Sequence, residues 1–326
     1  MCTALHIQTS ESGYFGRNMD IPFFFHQQPL EIPKGFRYWD RAGRQQKEVK
    51  RCILGMGSVI DGYPAMAEAM NEDGLACAGL NFAGFARYEQ EPEEGRENVA
   101  PYDLILWALS NYGSLTELRP ALEKLRLVAV PINESTPLPT LHWMFADRSG
   151  KSLVVEATQS GLQVYENPVG VMSNNPEFPW HRNNLREYLH LRAQDPSPAR
   201  WSDLTLEPLG VGTGSLGLPG DFGSASRFVR TAFLRASLPE DLQDEQALAQ
   251  FFHVLDAAAM VRGGVITSEG LYDYTVYSSC MDLRRCIYYY KTFENNRICG
   301  ISMKKGAGKE LLRYPYRTAQ DICWLA

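Results

Sequence analysis

The strongest constraint on this chain's fold is a series of short apolar runs joined in pairs by four-residue turn signals. "PAMAEAM", the turn "NEDG" at 71–74 and "LACAGLNF" form one unit. "LHWMFA", the turn "DRSG" at 147–150 and "SLVVEAT" form a second. Such runs around a Gly-ended turn read as antiparallel hairpins. Residues 3–9 (TALHIQT), with Leu5 and Ile7 on one face, pair in the same way with 14–19 (YFGRNM) across "SESG" at 10–13. "LQVYENP" and "VGVMSNNP" follow the second unit, and "YDYTVYSS", "RCIYYYKTF" and "RICGISM" read as later strands. Helical patterns lie between these groups, at 101–112, 177–194, 224–237 and 244–260. A further helix opens at a Ser114–Glu117 capping box and runs to about residue 127. Antiparallel strands alternating with helices imply sheet layers covered by helices, an α+β architecture. No repeat or linker divides the 326 residues, so a single domain is expected.

Composition narrows the function. Hydrophobic residues make up 44% of the chain and charged residues 21%, as in ordinary globular proteins. A net charge of -6 argues against a nucleic-acid partner, which calls for a basic surface. No apolar stretch reaches 18 residues, so no membrane helix is expected. No charged leader with an apolar run opens the sequence, and a cytoplasmic protein is expected. Seven scattered cysteines without C-x-x-C fit buried reduced thiols better than disulfides or a zinc ribbon.

Several tempting motifs carry little. "GTGSLG" at 212–217 matches G-x-G-x-x-G, but Pro219 follows where a nucleotide-binding helix would have to start. The six histidines show no H-E-x-x-H spacing, and G-x-S-x-G is absent. The acidic run at 89–97 reads as a solvated loop. No metal or cofactor is expected.

Cys2 is different. It is small enough for the initiator methionine to be trimmed, which would leave a thiol and a free α-amine on one residue. An α-amine has a reference pKa of about 7.7–8.0 and can serve as a base near neutral pH. A nucleophile with its own base is a known activation scheme. The ordinary alternative is an early strand residue. In the first hairpin, paired positions summing to 22–24 would set Asp20 opposite residues 2–4 and Arg17 nearby. An Arg beside the thiol favours thiolate, and an Asp can hold the amine. Residues 17 and 20 differ in parity, so either a bulge falls near Asn18–Met19 or one side chain reaches around the strand end.

The segments "MCT", "YFGRNMD", "AGLNFAG", "GVMSNNPEFPWHRNNL" and "LPGDFGSASRFVR", in this order over nearly the whole chain, resemble the choloylglycine hydrolase family. That family comprises bile salt hydrolases and penicillin V acylases, within the N-terminal nucleophile hydrolases. The resemblance implies a four-layer αββα sandwich of two antiparallel sheets between helix layers, spanning 2–326 once Met1 is removed. It implies that Cys2 attacks an amide carbonyl, with Arg17 and Asp20 beside it. It places the backbone N–H of Asn81 and the side-chain amide of Asn174 in an oxyanion hole, and Arg227 next to the nucleophile. Each has an ordinary reading as well: Asn174 as a turn residue, Arg227 as a helix-surface residue, Arg17 and Asp20 as a structural ion pair. The resemblance also implies a homotetramer and no cofactor.

Within that family, Asn rather than Tyr at position 81 is similar to bile salt hydrolases, which cleave glycine or taurine from a steroid acid. Penicillin V acylase activity is the alternative, and a non-catalytic thiol-sensing or binding protein of the same fold is a second. A steroid needs an apolar slot. Met19, Ile21, Phe23, Phe25, Tyr63, Ile132 and Leu138 are candidates for lining it. "DIPFFFHQQP" after Asp20 departs from the pattern of many bile salt hydrolases, and leaves glycine against taurine open.

Overall fold

The computed structural model describes residues 1–325, without the side chains of Asp244 and Glu245. Strands β1 (Cys2–Gln8), β2 (Gly13–Ile21), β3 (Gln28–Ile32), β4 (Ile53–Ile60), β5 (Tyr63–Asn71) and β6 (Ala76–Asn81) come first. β7 (Leu141–Ala146), β8 (Ser152–Thr158), β9 (Gly161–Glu166) and β10 (Val171–Met172) follow. β11 (Tyr274–Asp282), β12 (Ile287–Thr292), β13 (Cys299–Ser302) and β14 (Leu312–Arg313) end the series. One sheet has the order β10-β1-β2-β11-β12-β13, the other β9-β8-β7-β6-β5-β4-β3-β14. Every pairing in both is antiparallel.

Helices α1 (Leu104–Asn111) and α2 (Leu115–Leu122) cover the outer face of the second sheet. Helices α3 (Phe178–Asn184), α4 (Ser224–Ala236) and α5 (Asp244–Asp256) gather on the first sheet. The result is the αββα sandwich. Its central strands are buried on both faces, which explains their nearly unbroken apolar runs. In β7, Met144 and Ala146 face the inter-sheet core, while Trp143 and Phe145 face α1 and α2.

The turns at 71–74 and 147–150 form as read, with Gly74 and Gly150 at φ +86° and +79°, a conformation glycine adopts without steric penalty. Helix ends differ from expectation. The 101–112 segment begins as a 3-10 turn at Pro101–Asp103. Ser114 accepts from the Glu117 N–H at 3.3 Å, and Glu117 Oε2 accepts from the Gly113 N–H at 2.7 Å. That helix stops at Leu122, because Leu125–Leu127 joins a small parallel sheet. The 177–194 segment is helical only to Asn184, then tightens to a 3-10 turn at Leu185–Tyr188. The Asn183–Asn184 pair, with short polar side chains that compete for the backbone, marks that break. "GTGSLG" makes a 3-10 turn at Thr213–Ser215 and opens no α-helix.

The first hairpin corrects the expected register. Its loop is Thr9–Ser12, closed by Thr9 N–H donating to Ser12 O at 2.9 Å. Paired positions therefore sum to 21, so Cys2 faces Met19 and Ala4 faces Arg17. Gly16 lets β2 approach β11: a Cβ there would lie 2.0 Å from Ser279 O.

Candidate active site

Cys2 and Arg17 project from β1 and β2 into the space between the sheets. Arg17 and Asp20 take opposite faces, as strand parity dictates. The bulge, one of the two alternatives, is not in β2. It lies on β11, where the register slips between Thr275 and Tyr277, opposite Asp20 and Met19. The slip sends Thr275 to the helix side, where its hydroxyl donates to Asp20 Oδ1 at 2.5 Å. It sends Tyr277 into the inter-sheet core, where its hydroxyl donates to Glu68 Oε2 at 2.9 Å.

Cys2 is the point where the network converges. The Arg17 Nη2 donates to Cys2 Sγ, and its Nη1 donates to Gly79 O at 2.6 Å. Cys2 N donates to Asn174 Oδ1 at 2.7 Å. Asn174 Oδ1 also accepts from Arg227 Nη2 at 2.7 Å, and Asn174 Nδ2 donates to Asn81 O at 2.8 Å. Arg227 Nη1 donates to Cys2 O and to Thr3 Oγ1, the latter at 2.6 Å. Its Nη1 lies 3.8 Å from Asp20 Oδ2. The Met1 amine donates to Asp20 O and lies 3.4 Å from Asp273 Oδ2.

Five of the six expected residues are thus buried in one cluster, and Asn81 stands at its solvent edge with its Oδ1 taking the Thr140 hydroxyl at 2.9 Å. Burial alone would lower the Arg17 pKa. The Cys2 sulfur, Tyr277, Glu68 and Asp20 outweigh it and raise that pKa, so the guanidinium is a fixed cation. Burial raises Asp20 and lowers Arg227, each opposed by the other.

Residues outside the expected set hold Asn174 in place. Ser224 Oγ accepts from its N–H at 3.0 Å, and His181 Nε2 meets its carbonyl at 2.9 Å. Burial lowers the His181 pKa to about 4, so the neutral ring donates that bond. His181 lies in the "PWHRN" segment, where nothing but an apolar neighbourhood marked it. Among the described residues no three metal-ligating side chains cluster.

The residues expected to line a slot divide. Met19 pairs with Cys2, and its sulfur accepts from Arg17 Nη2 at 3.4 Å. Ile21 and Phe25 pack partly buried on the inter-sheet core, and Phe23 is 58% exposed. Leu138 is half-buried in the loop that carries Thr140. Tyr63 and Ile132 are corrections: both belong to the core beneath α1 and α2. Tyr63 packs edge-on against Tyr38 and Tyr102 and donates to Asp103 Oδ1, so its hydroxyl is spent inside the protein.

The family model for linear amide C–N hydrolases of the choloylglycine hydrolase family matches residues 2–308. This chain belongs to the choloylglycine hydrolase family. Among its relatives is a bile salt hydrolase/transferase of Clostridium perfringens, 44% identical over 99% of both chains. A bile salt hydrolase/transferase of Lactiplantibacillus plantarum is 37% identical over 98% of both. The solved C2A conjugated bile acid hydrolase of Clostridium perfringens superposes with a TM-score of 0.95, at 43% identity over all of both chains. As a choloylglycine hydrolase family member the protein is an amide C–N hydrolase, and the cluster around Cys2 is the place in its fold where a thiol, a fixed cation and a side-chain amide meet.

Proposed function

We propose that this protein hydrolyses conjugated bile salts at the amide joining the steroid acid to glycine or taurine. Removal of Met1 turns Cys2 N into the α-amine, already set against Asn174 Oδ1. The thiolate, favoured by Arg17, adds to the amide carbonyl, and the oxyanion forms beside the Asn174 amide and Asn81 backbone. The protonated amine gives its proton to the leaving nitrogen as the C–N bond breaks, leaving a Cys2 thioester and free glycine or taurine. Water then adds to the thioester and passes a proton to the amine. The C–S bond breaks and the steroid acid leaves. Loss of one oxyanion donor typically costs about 10²–10³ in turnover. Asp20, on the helix side, holds Arg227 and the end of β2 in register with this centre.

The observation that carries this reading is the joint engagement of Cys2 at its sulfur by Arg17 and at its nitrogen by Asn174. The substrate class rests on the relatives' activity and on the surface beside the site. Ile21 pairs with Tyr274, so the loops after β2 and before β11 leave the same strand ends, close to Cys2. They expose Phe23, Phe24, Val261, Ile266 and Leu271, an apolar rim suited to a steroid.

The test is release of glycine or taurine from glycocholate and taurocholate, beside phenoxymethylpenicillin, with intact mass verifying loss of Met1. Conjugated bile salts are expected to turn over faster. Faster cleavage of the penicillin overturns the substrate assignment. Cys2→Ser is expected to keep the fold and lose turnover by about 10³ or more; an active Ser variant removes the thiol from the mechanism.

A further inference from the structure

Glu68 is a carboxyl group in the middle of the inter-sheet core with no solvent exposure. Its Oε1 accepts from the Tyr288 hydroxyl at 2.7 Å and its Oε2 from the Tyr277 hydroxyl at 2.9 Å. Its Oε2 also lies 3.9 Å from Arg17 Nη1, on the guanidinium whose other terminal nitrogen meets Cys2 Sγ. Burial raises both phenols well above their ordinary pKa, so they remain donors. Burial raises the Glu68 pKa, opposed by the Arg17 charge and the two phenol bonds, and an acceptor of two phenol protons beside a guanidinium is best served by a carboxylate.

The reaction makes a demand that this arrangement answers. As a thiolate, Cys2 compensates the buried Arg17 charge. As a thioester, the sulfur is neutral, and Arg17 loses that partner in mid-cycle. Asp20 is no substitute, because it lies on the other face of β2 with Thr275 and Arg227. A buried cation without a counter-charge is strongly unfavourable.

We propose that Glu68 is the standing counter-ion of Arg17, a positioning residue that keeps the guanidinium aimed at the sulfur while the sulfur alternates between thiolate and neutral thioester. The role rests on Cys2 being the nucleophile. Glu68 touches neither the sulfur nor the amine and acts through Arg17. The charged and titratable groups around that guanidinium are Cys2, Asp20, Glu68 and Tyr277, with Tyr288 behind Glu68 and Arg227 on the far side of Cys2.

Glu68→Gln keeps the shape and removes the charge. It leaves Arg17 more strongly dependent on the thiolate, so every state with neutral sulfur becomes less favourable. The experiment uses Met1-processed enzyme in a Cys299→Ser/Cys323→Ser background, with iodoacetamide as a neutral cap on Cys2. Glu68→Gln is expected to move the midpoint of the alkylation-rate profile to lower pH by about one unit, a tenfold change. It is expected to lower kcat about tenfold or more with KM within about threefold, and to make capping cost at least about 2 °C more in Tm than in the parent. Equal midpoints and equal Tm losses would reduce Glu68 to packing and overturn the proposal. Turnover that survives complete capping of Cys2 would instead overturn the nucleophile assignment beneath it. If Glu68→Gln does not accumulate, Tyr288→Phe weakens the same carboxylate and must move the midpoint and the Tm difference in the same directions, by less. No movement there also rejects the role.

Discussion

Two carboxyl groups, Glu68 in the inter-sheet core and Asp103 beneath α1, are both buried and both have pKa values raised by burial, but they differ in their neighbours. Both accept a tyrosine hydroxyl, Glu68 from Tyr277 and Tyr288, Asp103 from Tyr63. Glu68 has a guanidinium nitrogen at 3.9 Å. Among the described residues no cation forms an ion pair with Asp103, and Lys47 and Arg41 act on it from farther away. Burial pushes its pKa up to about 7, with the Tyr63 bond, Lys47 and Arg41 pulling down and Asp40 pushing up. The inner core spends desolvation on charges that face the sulfur. The outer core holds an acid that is poised to be neutral. The difference implies that buried polar changes in the inner core act on turnover, and those in the outer core on stability alone.

Asn174→Ala is the severest challenge to that division. Asn174 joins Cys2 N, Arg227 and Asn81. Its truncation is expected to cut kcat/KM on glycocholate by about 10²–10³. The loss in Tm should be modest, because the backbone bonds to Ser224 and His181 survive. A variant with near-normal turnover would remove the amide from the reaction.

The acid side of the stability profile reads the inner layers in a second way. Burial lowers His6 and His181 to about 4. In the unfolded chain each takes up a proton near pH 6.5, in the folded protein near pH 4. The unfolded state therefore binds more protons between these values, and stability falls as pH drops through 6.5, levelling below about 4. The loss is on the order of 3 kcal/mol per histidine. Urea midpoints at pH 7, 5.5 and 4.5 check it, and a flat profile contradicts neutral buried rings.

How legible these regions were differs for physical reasons. Cys2, Arg17, Asp20, Asn174 and Arg227 sit in short segments whose order could be matched along the chain. The turns at 71–74 and 147–150 were plain from glycines that take positive φ. The first hairpin was misregistered because "TSES" and "SESG" are equally good turn signals, and only pairing across β1 and β2 decides between them. Glu68 was hidden by a bulge. Met66 and Glu68 share parity, yet the slip of β5 against β4 opposite Met56–Gly57 turns Met66 to the outer core and leaves Glu68 and Met70 inside. A lone Glu in the apolar run "PAMAEAM" was the signal available. Tyr63 was misread for the complementary reason. An aromatic after a turn looks like a loop anchor until a partner such as Asp103, 40 residues away in sequence, claims its hydroxyl.

Asp103→Asn gives the smallest expected effect and sharpens the comparison most. The folded pKa of Asp103 lies near 7, above the 3.8 of the unfolded chain. The folded state therefore holds this proton longer, and stability is lost as pH rises from about 4 through 7. An asparagine has no proton to lose and can still accept from Tyr63. The variant should match the parent in thermal melts at pH 4.5 to 5 and exceed it at pH 8 by on the order of 2 kcal/mol, a few degrees in Tm. Turnover of glycocholate should stay within about twofold, because no described contact joins Asp103 to the Cys2 cluster. Glu68→Gln, the same loss of charge one sheet face away, is expected to do the reverse and lower turnover. A tenfold loss of activity in Asp103→Asn would mean that the second sheet transmits a charge change in the outer core to the nucleophile.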